Sequence, residues 1–333
     1  MTPSAVLPIS IAAAAIPTLF YVTVIYWVDR YEKEPLWLLA AAFLWGAIPS
    51  IIVAFIFNTI LSLPFYLVAG ESTGDALAAS LIAPPVEESL KGLALVAILL
   101  FWRHEIDSLL DGIVYGAIVG MGFAMVENVY YFVSVFNESG IEAWGMNVFL
   151  RAFIFGLNHA MFSSITGLGI AIARMSVNRS TRLVAPLLGW MGAMFLHFLH
   201  NLATSSGSLL CLVALVADWG GIGITGLIVL WALLQERQWL KRYLAEEVAY
   251  GTLTTNQYLV ASSSRKRFAR AYQLLLTNGL SPFLATIRYH QRCSELAYKK
   301  HHSSLFDTPE NALRVEQART EVKRHTPGRS LIS

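Results

Sequence analysis

The 333-residue chain is 56% hydrophobic and only 14% charged, with a mean hydropathy of +0.55, whereas a soluble domain carries roughly 25% charged residues. That balance excludes a soluble enzyme on a single anchor, because the stretch after Gln235 is polar and the rest must carry the apolar excess. A net charge of +2 gives no reason to expect a nucleic-acid partner, and Cys211 and Cys293 sit in such different settings that neither a disulfide nor a zinc pattern is expected.

A membrane-crossing helix takes about 20 apolar residues. Runs of that length predict about seven spans, at roughly 5–28, 36–58, 80–102, 109–136, 148–173, 183–204 and 208–234. The first lacks a basic leader and a small-residue cleavage site, which predicts a retained helix rather than a signal peptide. The apolar stretch Leu61 to Gly70 is short and holds Pro64, which predicts an interfacial or re-entrant piece rather than an eighth span. Basic residues occupy alternate connections: Arg30 and Lys33, then Arg103, then Arg174, Arg179 and Arg182. The intervening connections 59–79, 137–147 and 205–207 hold no Lys or Arg. By the positive-inside rule the N-terminus is expected outside and the C-terminus in the cytoplasm, which an odd number of spans satisfies.

From Gln235 onward, basic residues such as Arg237, Lys241, Arg265, Lys266 and Arg270 alternate with scattered Leu, Phe and Tyr. This predicts a helical tail lying against anionic lipid headgroups. The expected fold is all-α: a polytopic transmembrane helix bundle over residues 1–234 and a basic helical cytoplasmic tail over 235–333.

Charged side chains inside spans are costly and mark function by default. The third span holds Glu87, Glu88 and Lys91, with Lys91 one helical turn from both carboxylates. One Glu is thus expected to be held by Lys91 while the other stays available for proton transfer; a register-setting ion pair would need only one. The fourth span carries Glu127 and Asn128, the fifth His159 and the sixth His197, with Asn201 four residues on along the same face. Counted inward from the outer surface at 1.5 Å per residue, Glu87 and His197 lie about 10 Å deep, Glu127 about 14 Å and His159 about 16 Å. Four helices therefore bring a carboxylate or imidazole to one level, which predicts a common cavity. Asp218 of the seventh span falls near that level but has no polar neighbour in sequence, and Asp111 reads as a helix-end charge.

Carboxylates and imidazoles in such a cavity suit the activation of water, with a Glu taking its proton and His and Asn donors holding the oxyanion. The same set suits zinc, with His159, His197 and Glu127 as ligands and a second Glu as base. No HExxH helix is present. Ion translocation is the alternative, since Glu and His also line ion pathways; a relay strings its groups along the membrane normal, whereas a hydrolase gathers them around one water.

Glu87-Glu88-x-x-Lys91, Glu127-Asn128-x-x-Tyr131, Phe155-x-x-x-His159 and His197-x-x-x-Asn201, in that order on successive spans, resemble the PrsW family of intramembrane proteases. That family is similar in its motifs to the wider superfamily of CAAX prenyl proteases and bacteriocin-processing enzymes. Asp29-Arg30-Tyr31-Glu32-Lys33-Glu34-Pro35 resembles it too, so the likeness covers about residues 15–205 and leaves the tail outside. The resemblance implies Glu87 and Glu88 as catalytic carboxylates, Glu127, His159 and His197 as their partners, and Asn201 as a polarising donor. It implies a metalloprotease, although the prenyl protease relatives have been argued to use a glutamate-activated water without metal. The implied substrate is a membrane-spanning anti-sigma factor, cut near the outer side of the membrane.

Overall fold

A computed structural model describes residues 3–206 and 209–326, and among the described residues every regular element is a helix. Two compact units emerge: Met1–Val28 with Glu34–Val229, and Asp29–Lys33 with Leu230–Ser333.

The first unit begins with α1 (Pro3–Val28) and α2 (Leu36–Trp45). A π-turn at Gly46–Ser50, which contains Pro49, leads into α3 (Ile51–Ala69). The stretch Leu61 to Gly70 is therefore no separate re-entrant piece, because α3 runs through Pro64 to Ala69. Hydroxyls in the turns before Pro64 bond back to the backbone, Thr59 Oγ1 to Phe55 O at 2.8 Å and Ser62 Oγ to Thr59 O at 3.0 Å.

After α4 (Glu71–Leu77), a second π-turn at Ala78–Ile82 enters α5 (Ala83–Phe101). Pro84 and Pro85 fall in the first turn of α5, where a missing N–H costs least. The next helix, α6 (Leu109–Phe149), opens on a capping box between Ser108 and Asp111, the helix-end role expected of that aspartate. Within the connection expected at 137–147 it breaks at Gly140, whose φ of +79° suits glycine, and two helical pieces meet there without a longer loop.

The expected fifth span is likewise not continuous. A π-turn at Leu150–Ile154 and an irregular step at residues 155–157 precede α7 (Asn158–Met175). The last helices of this unit are α8 (Arg179–Ser205) and the first half of α9 (Leu210–Ala249). Among the described residues, five helical stretches are long and apolar enough to cross a membrane: Ala5–Val28, Leu36–Ala69, Leu109–Met175, Arg179–Ser205 and Leu210–Ala249. The third of these contains both α6 and α7, and α5 is interrupted by its own charges.

The packing of α6 on α7 positions the site. Gly112, Gly116 and Gly120 repeat once per turn on α6, and a Cβ on any of them would collide with the backbone of Gly167, Ser163 and His159 respectively. The helices are thus antiparallel and in backbone contact, the close approach that small residues allow between apolar helices. This ridge fixes the depth of His159.

The second unit contains the end of α9, α10 (Thr255–Ala261), α11 (Ser264–Asn278), α12 (Leu280–Leu305) and α13 (Pro309–Arg324). Buried Arg267 donates to Ser294 Oγ at 2.7 Å and to Tyr31 O at 3.3 Å. Lys300 and Arg319 converge on Glu247, at 2.7 Å and 2.8 Å. A helical organisation of the basic segment was expected; its buried polar framework was not.

Candidate active site

Glu87 and Glu88 stand on the second turn of α5 and Lys91 one turn further, all three buried. Glu88 is saturated. Lys91 Nζ donates to its Oε1, His197 Nδ1 lies 2.9 Å from the same oxygen, and Ser163 Oγ donates to Oε2 at 3.3 Å. Glu87 is not. Its Oε1 accepts from Asn58 Nδ2 at 3.2 Å, while its Oε2 is buried with no hydrogen-bond partner and lies 3.9 Å from His197 Nε2.

His197, on α8, is held by Glu88 on one nitrogen and by the ring of Phe162, stacked at 4.9 Å and 14°. His159, at the start of α7, stands perpendicular to His197 with ring centroids 5.2 Å apart. Its Nε2 lies 2.9 Å from Glu127 Oε2 and its Nδ1 lies 3.2 Å from Lys91 Nζ. Each imidazole therefore has a carboxylate on one nitrogen, the arrangement that fixes tautomer and ring orientation in hydrolytic and metal sites.

Glu127 is braced from behind. Arg151 Nη2 donates to its Oε2 at 2.6 Å, Arg151 Nε donates to Asn128 Oδ1 at 2.9 Å, and the guanidinium lies 3.9 Å above the Tyr131 ring. With Lys91 paired to Glu88 and Arg151 to Glu127, Glu87 is the carboxylate of the cluster without a cation bonded to it. That charge balance distinguishes two adjacent glutamates whose chemistry is otherwise identical.

Glu87, His159 and His197 each offer a ligand atom within 4.8 Å of the others, and together could hold a metal ion. The carboxylate in this group is Glu87; Glu127, expected among the ligands, sits against the far side of His159. Asn201 stands apart from the cluster: its Nδ2 donates to Ala79 O at 2.7 Å, tying α8 to the π-turn before α5. Sharing a helix face with His197 placed it in the right direction but one turn away.

The sequence reading missed two partners. Arg151, inside the fifth apolar run, carried the signal of any intramembrane arginine, namely that something must neutralise it. Asp218 has partners from other helices: its Oδ2 lies 2.7 Å from His200 Nδ1 and accepts from Asn158 Nδ2 at 2.9 Å. Asn158 directly precedes His159 and His200 lies one turn from His197, so this second cluster anchors α9 beside the first.

Comparison with known proteins gives the family. The model of the PrsW family intramembrane metalloprotease matches residues 34–240. The protein named Protease PrsW of Geobacillus kaustophilus is 29% identical over 236 residues, 70% of this chain and 92% of its own length. Its namesake in Clostridioides difficile is 31% identical over 161 residues, 47% of this chain and 64% of its own. That of Bacillus subtilis is 29% identical over 172 residues, 51% and 71% respectively. No solved structure matches. Both buried clusters fall inside the matched stretch, more than half of a chain that thus belongs to the PrsW family of intramembrane proteases.

Proposed function

We propose that the protein hydrolyses a peptide bond of a membrane-anchored protein, of the anti-sigma-factor type that the family resemblance implies, with Glu87 as the group that moves the proton. The observation that carries this reading is the unpartnered Oε2 of Glu87 beside His197 Nε2, in a cluster where the other carboxylates are bound to cations. A water between them would give its proton to Glu87 Oε2 as its oxygen attacks the scissile carbonyl carbon. The proton returns from Glu87 to the leaving amine nitrogen as the C–N bond breaks. Glu88 and Glu127 hold the rings in place throughout. Convergence of these groups, rather than a string of them, favours hydrolysis over a proton relay.

The donor set also fits a divalent ion: two imidazoles and a carboxylate with a bare, buried oxygen. His197, His159 and Glu87 would hold it, with zinc the metal that suits them. Such an ion, when bound, acidifies water and polarises a carbonyl. Coordination through His159 Nδ1 would require Lys91 to bond Glu88 alone, since Lys91 Nζ lies 3.2 Å from that nitrogen.

The test is to express the wild-type chain and Glu87→Gln in one host and compare membrane-protein fragments by mass spectrometry. Fragments confined to wild type would identify the substrate. Identical fragment sets would refute the reading. Metal analysis of purified wild type against His197→Ala decides between the metal and metal-free forms.

A further inference from the structure

Between Glu247 and Glu295 the sequence holds no acidic residue, while it holds Arg265, Lys266, Arg267, Arg270, Arg288 and Arg292. Within this stretch α11 turns Arg267, Ala271 and Leu274 inward. Its outward face carries Phe268, Tyr272 and Leu276, exposed by 74%, 51% and 68%. At the start of α12, Leu280, Leu284 and Ile287 are exposed as well. The Phe268 and Tyr272 rings stack with centroids 6.1 Å apart and planes within 6°, forming a ridge rather than scattered side chains. Arg265 and Lys266 are exposed beside it.

A row of large apolar groups left in water calls for something to cover it. A protein partner alone would not explain why the exposed Arg265 and Lys266 beside the ridge have no acidic residue near them in the chain, since Lys is depleted at protein interfaces. An apolar ridge flanked by cations, with aromatics among the apolar groups, matches a surface lying in the headgroup layer of an anionic bilayer. The protein is an integral membrane protease, so a bilayer is always within reach of this segment. On the orientation read from the loop charges, the facing leaflet is the anionic cytoplasmic one.

We propose that the face of α11 and the first turns of α12 that carries Phe268, Tyr272 and Leu276 is a peripheral docking surface for anionic lipid. Basic residues hold it electrostatically and the ridge enters the headgroup region. Binding should weaken with ionic strength and fall roughly fivefold for each basic residue neutralised.

The full chain with Cys211→Ser and Leu276→Cys, carrying an environment-sensitive fluorophore, would be placed one copy per nanodisc in phosphatidylcholine or in phosphatidylglycerol-rich lipid. Leu276 is a surface position, and a second reporter at Leu284→Cys checks that the response belongs to the whole ridge. A blue-shifted emission in the anionic discs that salt reverses, and that Arg265→Gln/Lys266→Gln/Arg270→Gln diminishes, is expected. Emission that stays water-like in anionic discs would overturn the proposal. So would a shift of equal size in neutral discs, or one that grows with protein concentration, the latter pointing to a second copy of the chain as the occupant.

Discussion

His197 Nδ1 lies 2.9 Å from Glu88 Oε1, and this bond turns Nε2 of the same ring toward Glu87 Oε2, 3.9 Å away. The adjacent glutamates thus have different surroundings, one bonded to an imidazole and Lys91, the other facing, on the proposed mechanism, the reacting water. Their substitutions should separate accordingly. Glu88→Gln leaves Lys91, fully buried, without its counterion and should cost about 3–5 kcal/mol of stability. Glu87→Gln should leave the unfolding midpoint nearly unchanged. Thermal unfolding of both variants in one detergent checks the contrast.

On the proposed mechanism Arg151 would act through Glu127, as a positioning residue. Because it makes two differently directed hydrogen bonds and covers the Tyr131 ring, Arg151→Lys is not conservative here. Turnover should fall by roughly 10- to 100-fold. The fall should appear in kcat with KM little changed, and Arg151→Met should fall further; equal loss in both constants would indicate damage to substrate binding instead.

Asp218 and His200 should be energetically coupled across α8 and α9. A double-mutant cycle of Asp218→Asn and His200→Gln is expected to give an interaction of about 0.5–3 kcal/mol in unfolding. An additive cycle would mean that the 2.7 Å contact contributes nothing to holding α9.

In the second unit, burial pushes the Cys293 thiol up to about 12, so it should resist alkylation at pH 8 until this unit unfolds. His290 is pushed down to about 3, by burial first and by the Arg267 charge second. The unfolded chain, with an ordinary histidine near 6.5, therefore takes up a proton that the folded unit refuses. Stability present above that value should be lost as pH falls from 6.5 toward 3. Hydrogen exchange across α12 of the full chain should accelerate on acidification, and His290→Gln should lessen that dependence.

Most of the candidate cluster was legible in the sequence because charge in an apolar run is conspicuous: Glu87, Glu88, Lys91, Glu127, His159 and His197 stand out by where they lie. What joins them was not. The break before Asn158 has no proline or glycine pair to mark it beyond Gly156, and the depth of His159 is set by its packing against Gly120 on another helix. Helical spacing gave the direction of Asn201 but not its partner, a backbone carbonyl in a π-turn. Pro64 suggested an interruption because sequence alone does not reveal that the turns around it remain helical. Asp218 looked isolated because both of its partners come from other helices.

Hydrolysis at Glu87 is tested most directly with oxygen-18 water, using purified protease in proteoliposomes and the membrane protein whose fragments distinguish wild type from Glu87→Gln. One labelled oxygen should enter the new C-terminal carboxyl group per cleavage by wild type, and Glu87→Gln should cut its rate by about 10²- to 10⁴-fold, the contribution of a general base. Cleavage by Glu87→Gln at the wild-type rate, with the loss falling on Glu88→Gln instead, would contradict the assignment of the reacting carboxylate.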